Sequence, residues 1–488
     1  MSLTPHQYRE LLAAMPSTAD ADTSPIDPRT LFTPPGHRLS LDPDVTVVKG
    51  GRGVGKSVWF QALQKDELRE LAAEEYRLPQ LRRLVPHAGY GAALRPSDYP
   101  DADTIAALLA NGAEPRDLWY AVVLNALEVR EVQDLDKWSQ RVDWVKGNPE
   151  DRAAALTRVD RHAESSGRTE LIMFDALERT HNKRSEADRL ATAILQVALE
   201  LRLMTRHLRA KVFIRPDMLN NLSLSFADSS KLISNAAELT WYRSNLYGLF
   251  FHQLGNADSD HAAAFRAATG RWRNAQHRYV APEALIGDEP KQNETFIAIA
   301  GPYMGQNHRK GHTYTWLPNH LADGTDQISP RSFLDALRRA GESSAARHAG
   351  YEHALHWEAI KKGVQSASET RVGELTEDIS WVPVTITPLA GKQVPIPQAD
   401  VISRWNEVGL SERLAEHQRT HAGEQGKDGS KQQVSTGPRN HQPESLIEEL
   451  IALGVMKRRA TGMLDVPDIY RINFDLGRKG GVPRIKSN

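Results

Sequence analysis

The clearest chemistry in the chain lies in eight consecutive residues, GGRGVGKS: Gly50, Gly51, Arg52, Gly53, Val54, Gly55, Lys56 and Ser57. They fit the spacing G-x-x-x-x-G-K-[ST] in full. Glycines at such positions let backbone N–H groups approach phosphate oxygens, and a helix starting behind the loop adds its positive end. Lys56 would neutralise the β- and γ-phosphates, the Ser57 hydroxyl would ligate magnesium, and Val58 continues into the following helix. The loop predicts a site for ATP with Mg2+.

Two further segments supply groups that such a site needs. LIMFDALER (171–179) is an apolar run ending in Asp175, the pattern by which a buried strand delivers one carboxylate to the magnesium shell. Three residues on, Glu178 is the nearby carboxylate able to orient an attacking water; a solvent-facing turn residue is the alternative. VFIRPD (212–217) is an apolar strand ending in Arg215, placed either to sense a γ-phosphate or to pair with a surface carboxylate. Arg331, in SPRSFL, is a candidate second sensor on a helical lid, against a plain helix-start residue that packs or caps.

Positioning these groups requires strands followed by helices. VTVVKG (45–50) reads as a buried strand and VWFQALQKDELRELAAEEYR as the helix after the loop. Further apolar runs near Leu84–Val85, at 170–175, in RAKVFI and in AELTW alternate with helical patterns of 10–20 residues. That alternation predicts an α/β fold with a parallel sheet. The helical pattern at 329–341 carries Ser329 as N-cap and Pro330 at its first position. The expected organisation is an N-terminal helix and connector (1–43), a nucleotide-binding core (44–255), a helical accessory region (256–414), a flexible polar linker (415–443) and a small basic module (444–488).

Composition narrows the function classes. The 488 residues contain no cysteine, which excludes disulfides, thiolate metal sites and a cysteine nucleophile. A net charge of −1 excludes a generally basic nucleic-acid coat but not a local basic patch. No apolar run approaches the ~18–20 residues of a membrane span, and no secretory signal is visible, so the expectation is a soluble, cytoplasmic protein without membrane contact. The 18 histidines show no ligand-like spacing: His308 and His312 lack a carboxylate between them, and His353 and His356 lack a third partner.

The combination GGRGVGKS, FDALER and FIRP resembles the STAND and KAP groups of P-loop ATPases, relatives of AAA+ proteins. The resemblance spans roughly residues 40–255 and implies a sheet in which another strand separates those bearing the loop and Asp175. It also implies a nucleotide-driven switch, commonly self-associating, rather than a metabolic enzyme, in groups that often serve bacterial defence; a protein partner is expected as well. The chain departs from the pattern in lacking inserted membrane helices, in having Ala176 where relatives carry an acidic residue or glycine, and in the segment 76–168. Lys49 lies outside the eight-residue motif and Gly51 inside it, which excludes the two-lysine loop of the ParA/MinD ATPases. Ala176 leaves open a nucleotide-binding scaffold with little hydrolysis, and a P-loop kinase is a third alternative.

The C-terminal segment resembles a winged-helix module: a helix (SLIEELIALG), then a hairpin carrying Lys457, Arg458 and Arg459. In it eight Lys/Arg face three Asp. Such a surface suits phosphate contacts with DNA, or a protein contact.

Overall fold

The computed structural model describes residues 3–16, 25–220, 222, 224–275, 278–424, 437–478 and 482. The chain divides into two compact units, residues 35–240 and residues 1–34 with 241–488.

The unit 35–240 is built on a five-stranded parallel sheet. Its strands are β1 (Val47–Lys49), β2 (Leu84–Tyr90), β3 (Thr169–Phe174), β4 (Leu208–Ile214) and β5 (Ala237–Glu238), in the spatial order β2-β3-β4-β1-β5. β4 pairs with β1 through Val47↔Val212 and with β3 through Phe174↔Val212, so it separates the strand before the glycine loop from the strand before Asp175. Strands covered on both faces read as unbroken apolar runs, as LIMF at the end of β3 and VFI at the end of β4 do. One face packs against the helix Arg184–Met204, whose Leu190, Ile194, Val197 and Leu201 recur at helical spacing and are all buried. Trp119, on the helix Pro115–Ala126, meets Phe174 edge-on with centroids 5.7 Å apart. Five helices between Ala102 and Ser166 fill the crossover from β2 to β3. The result is an α/β P-loop fold followed by a helical extension.

The second unit is mainly helical. The expected boundary at 255 falls at 240, and the helix Arg243–Gly255 belongs to this unit. The physical reason is its composition. Leu246, Tyr247, Leu249, Phe250, Phe251 and Leu254 are buried all around it, as befits a central helix rather than a surface one. Tyr247 stacks on Tyr314 at 4.1 Å and meets Phe333 edge-on at 5.1 Å. The N-terminal helix Pro5–Ala13, closed by a capping box from Thr4 and Gln7, also belongs here. Arg9 reaches from it to the carbonyls of His348, Ala349, His353 and Ala354.

Two other boundaries change. Residues 415–424 continue the helix Leu410–Glu424 rather than starting a linker, and 425–436 lie outside the described residues. The C-terminal hairpin (Lys457–Arg458 with Leu464–Asp465) forms as expected, but Leu464 also bridges Ile396 and Gly477 bridges Gln393. The module therefore takes in chain from before residue 400 and is not confined to 444–488. Among the described residues, no helix is long and apolar enough to cross a membrane.

Candidate nucleotide-binding site

The glycine loop runs from the end of β1 to the helix Lys56–Gln64. Two backbone requirements explain its composition. Gly55, the residue before the helix, has φ +103, which a side chain would strain. A Cβ on Gly50 would stand 2.8 Å from Val54 Cγ2 and 3.1 Å from Lys56 Cγ, so the loop closes on itself only with hydrogen there. Gly50 N–H donates to Ile214 O, and Leu239 N–H to Lys49 O, which ties the start of the loop to both neighbouring strands.

Beneath the sheet's approach to the loop, Lys211 on β4 is fully buried and donates to the carbonyls of Ser40, Asp42 and Val45. Burial pulls its ammonium down to about 7. Those three bonds fix the chain entering β1. In the sequence this anchor shows only as a lone lysine inside an apolar strand, with nothing to mark its three partners.

At the strand ends the predicted residues converge. Ser57 Oγ donates to Asp175 Oδ2 at 2.7 Å. Asp175 is 3% exposed, and burial raises its pKa while the Lys56 charge and the Ser57 bond oppose that rise. Lys56 Nζ donates to Gly50 O and Gly51 O, each at 2.9 Å. Loss of solvation lowers its pKa, countered by the charges of Glu178, Asp175 and Asp217 and reinforced by that of Arg215. Lys56 therefore feels four charged groups from the ends of β3 and β4. Glu178 is half-buried in the short turn Leu177–Arg179, not solvent-facing. Ala176, which starts that turn, holds the left-handed conformation at φ 56.

Arg215 directly follows β4. Pro216 keeps it extended (φ −77, ψ 142), and its Nε donates to Asp217 Oδ1 at 3.0 Å. Asp217 is not among the residues expected at the site; its signal in the sequence is a carboxylate two residues from a candidate sensor. Arg331 belongs to the other unit. It occupies the first turn of the helix Pro330–Arg347, which Ser329 caps, and pairs with Glu374 at 2.9 Å.

The donor set fits magnesium and a polyphosphate: a hydroxyl beside a carboxylate supplies the oxygen ligands Mg2+ takes, and the cradle at Gly50 leaves no space for a side chain.

Elsewhere, His348, His356 and Glu358 bring one potential ligand atom each within 4.8 Å. The two imidazoles, however, stack face to face at 3.8 Å and 12°, so their ring planes do not meet at a common ion. The basic residues of the C-terminal hairpin are committed to carboxylates: Lys457 to Asp326, Arg458 to Glu448, and Arg459, with Arg478, to Asp465. Lys479, Arg484 and Lys486 lie outside the described residues.

No protein-family model matches the chain, and no curated protein does. Solved structures similar to it include Cdc6p from Pyrobaculum aerophilum, 11% identical over 92% of this chain and 94% of that one, with a TM-score of 0.32. Another is the Aeropyrum pernix ORC2 protein in ADPNP–ADP complexes, 13% identical over 93% of this chain and 94% of that one, with a TM-score of 0.39. The P-loop assignment rests on the loop and the strand order, which stand without these likenesses.

Proposed function

We propose that the protein binds Mg-ATP on the loop 50–57 and hydrolyses it, and that the nucleotide state drives a switch acting on a protein partner or a second copy of the chain. The observation that carries the reading is the Ser57–Asp175 hydrogen bond, which joins the loop to the end of β3 where a metal-bound phosphate would need both. Ser57 and Asp175 would hold magnesium, which would supply charge neutralisation at the phosphates. The chain's own residues do the rest. Lys56 exchanges the carbonyls of Gly50 and Gly51 for phosphate oxygens, a charge-assisted contact stronger than the bonds it gives up. The N–H groups opening the helix Lys56–Gln64 face the same anion. Glu178 orients water and Arg215 meets the γ-phosphate. Membership of the STAND/KAP groups, with their defence roles, is part of this proposal and is supported by the motif order GGRGVGKS, FDALER, FIRP.

Contact with DNA through Lys457, Arg458 and Arg459 is the less favoured partner reading, since phosphates would have to displace Asp326, Glu448 and Asp465. The test is phosphate release from Mg-ATP, with and without duplex DNA, in the parent protein and in Lys56→Ala. Turnover that falls roughly a hundredfold or more in the variant supports the reading. Equal turnover in the two proteins overturns it. Nucleotide bound without turnover selects the scaffold alternative, and product formation that requires a small acceptor selects the kinase.

A further inference from the structure

We propose that Asp217 is a γ-phosphate gate, a carboxylate that holds Arg215 when no γ-phosphate is present and sets the protein's preference between ATP and ADP. The inference rests on the nucleotide reading above and concerns the same site. Arg215 and Asp217 are paired at 3.0 Å, with their side chains only 11% and 19% exposed, so water screens the pair weakly. Gly50 N–H donates to Ile214 O, the residue before Arg215, so the pair begins where β4 meets the start of the glycine loop.

The charges around Lys56 are unbalanced in a telling way. Asp175 is hydrogen-bonded to Ser57 and, in the function proposed above, would face the metal, with Glu178 assigned to the water; Asp217 has neither task. A third carboxylate beside a polyphosphate is unfavourable unless it does something for Arg215. In the nucleotide-free arrangement it does: it takes the guanidinium Nε and keeps a half-buried cation paired.

A γ-phosphate changes both terms. It offers Arg215 a stronger, more highly charged partner, and it repels Asp217. ADP changes neither, because its phosphates end before the sensor. Arg215 therefore moves from Asp217 to the γ-phosphate when ATP binds and returns after phosphate leaves. Asp217 sits in the turn Pro216–Leu219, which directly extends β4, so the exchange releases or restrains that turn with each cycle. This gives the switch a chain-encoded element to bias.

The test compares affinities for a non-hydrolysable ATP analogue and for ADP, both with magnesium, in the full chain. Asp217→Asn removes the charge and keeps the shape. It should raise the preference for the ATP analogue over ADP by about tenfold while leaving ADP affinity near the parent value. Asp217→Glu, which restores the charge, should bring the ratio back toward the parent. If the Asn variant does not melt with the parent protein, Asp217→Ser makes the same comparison. An equal change for both nucleotides, or a reduced preference for ATP, would show a merely supporting role and overturn the gate. A parent protein that binds neither nucleotide would sink the nucleotide reading itself. Intact binding with an unchanged ratio would sink only the gate.

Discussion

Gly50 shows how narrowly single residues constrain this site. A methyl group there would press on Val54 and on the Lys56 side chain, the atoms that close the loop. Overpacking of this kind costs about 1–3 kcal/mol, and here the loop absorbs it. Gly50→Ala should therefore weaken Mg-ATP binding roughly ten- to a hundredfold, the same energy read as affinity. The melting temperature should change little; isothermal titration beside a thermal melt separates the two. At this scale the sequence was most informative: residue types and spacing in GGRGVGKS and FDALER place Lys56, Ser57 and Asp175 without coordinates. Pairing was not legible, because a sequence shows which residues carry charge but not which charges meet. Lys457, Arg458 and Arg459 read as a basic patch, yet Asp326 far back in the chain, Glu448 on the preceding helix and Asp465 across the hairpin take them up.

At the scale of elements, His37 links the chain before β1 to the helix behind the loop. Its Nδ1 accepts from Trp59 Nε1 at 3.0 Å, and its Nε2 donates to Thr240 O at 3.2 Å. Those two partners require the neutral ring with its proton on Nε2. Burial drives the pKa down to about 4 from the ordinary 6.5. A depressed histidine pKa means that the unfolded chain binds the proton first. The stabilisation is complete above pH 6.5 and is lost as pH falls toward 4, a loss of about 3 kcal/mol across that window. His37→Gln keeps an acceptor and a donor but does not titrate, so its stability should fall less between pH 7 and pH 4.5 than the parent's. Denaturant titrations at the two pH values check this, and parallel losses would refute it. Helices and strands were largely readable from periodicity, including Ser329 as a cap and the apolar run of β3. Buried polar anchors such as His37 and Lys211 were not, since each lies alone in sequence and its partners come from other segments.

Across the whole molecule, chain order and structural order part company. Residues 1–34 pack with 241–488, so the α/β unit 35–240 is an insertion within the helical one. In the sequence the boundary falls at 255, because the apolar helix after β5 continues the strand–helix rhythm; its burial on every side is a tertiary property that periodicity does not reveal. An insertion of this kind has a requirement: its two ends must meet. They do, through the His37–Thr240 hydrogen bond at 3.2 Å, three residues into the unit at one end and at its last residue at the other. The unit also holds its own apolar core around Trp119, Phe174 and Phe213, and the strand order is complete within it. A fragment of residues 35–240 should accordingly fold by itself, melt in one cooperative transition and bind Mg-ATP with a lysine-dependent affinity. Residues 1–34 joined to 241–488 by a short glycine-serine linker should fold separately and bind no nucleotide. Circular dichroism melts and nucleotide titrations on the two fragments decide it. If the first fragment lacks a cooperative transition, the α/β unit depends on the helical one for stability; if it folds but no longer binds Mg-ATP, nucleotide binding needs a group from residues 241–488, and Arg331 becomes the first residue to substitute.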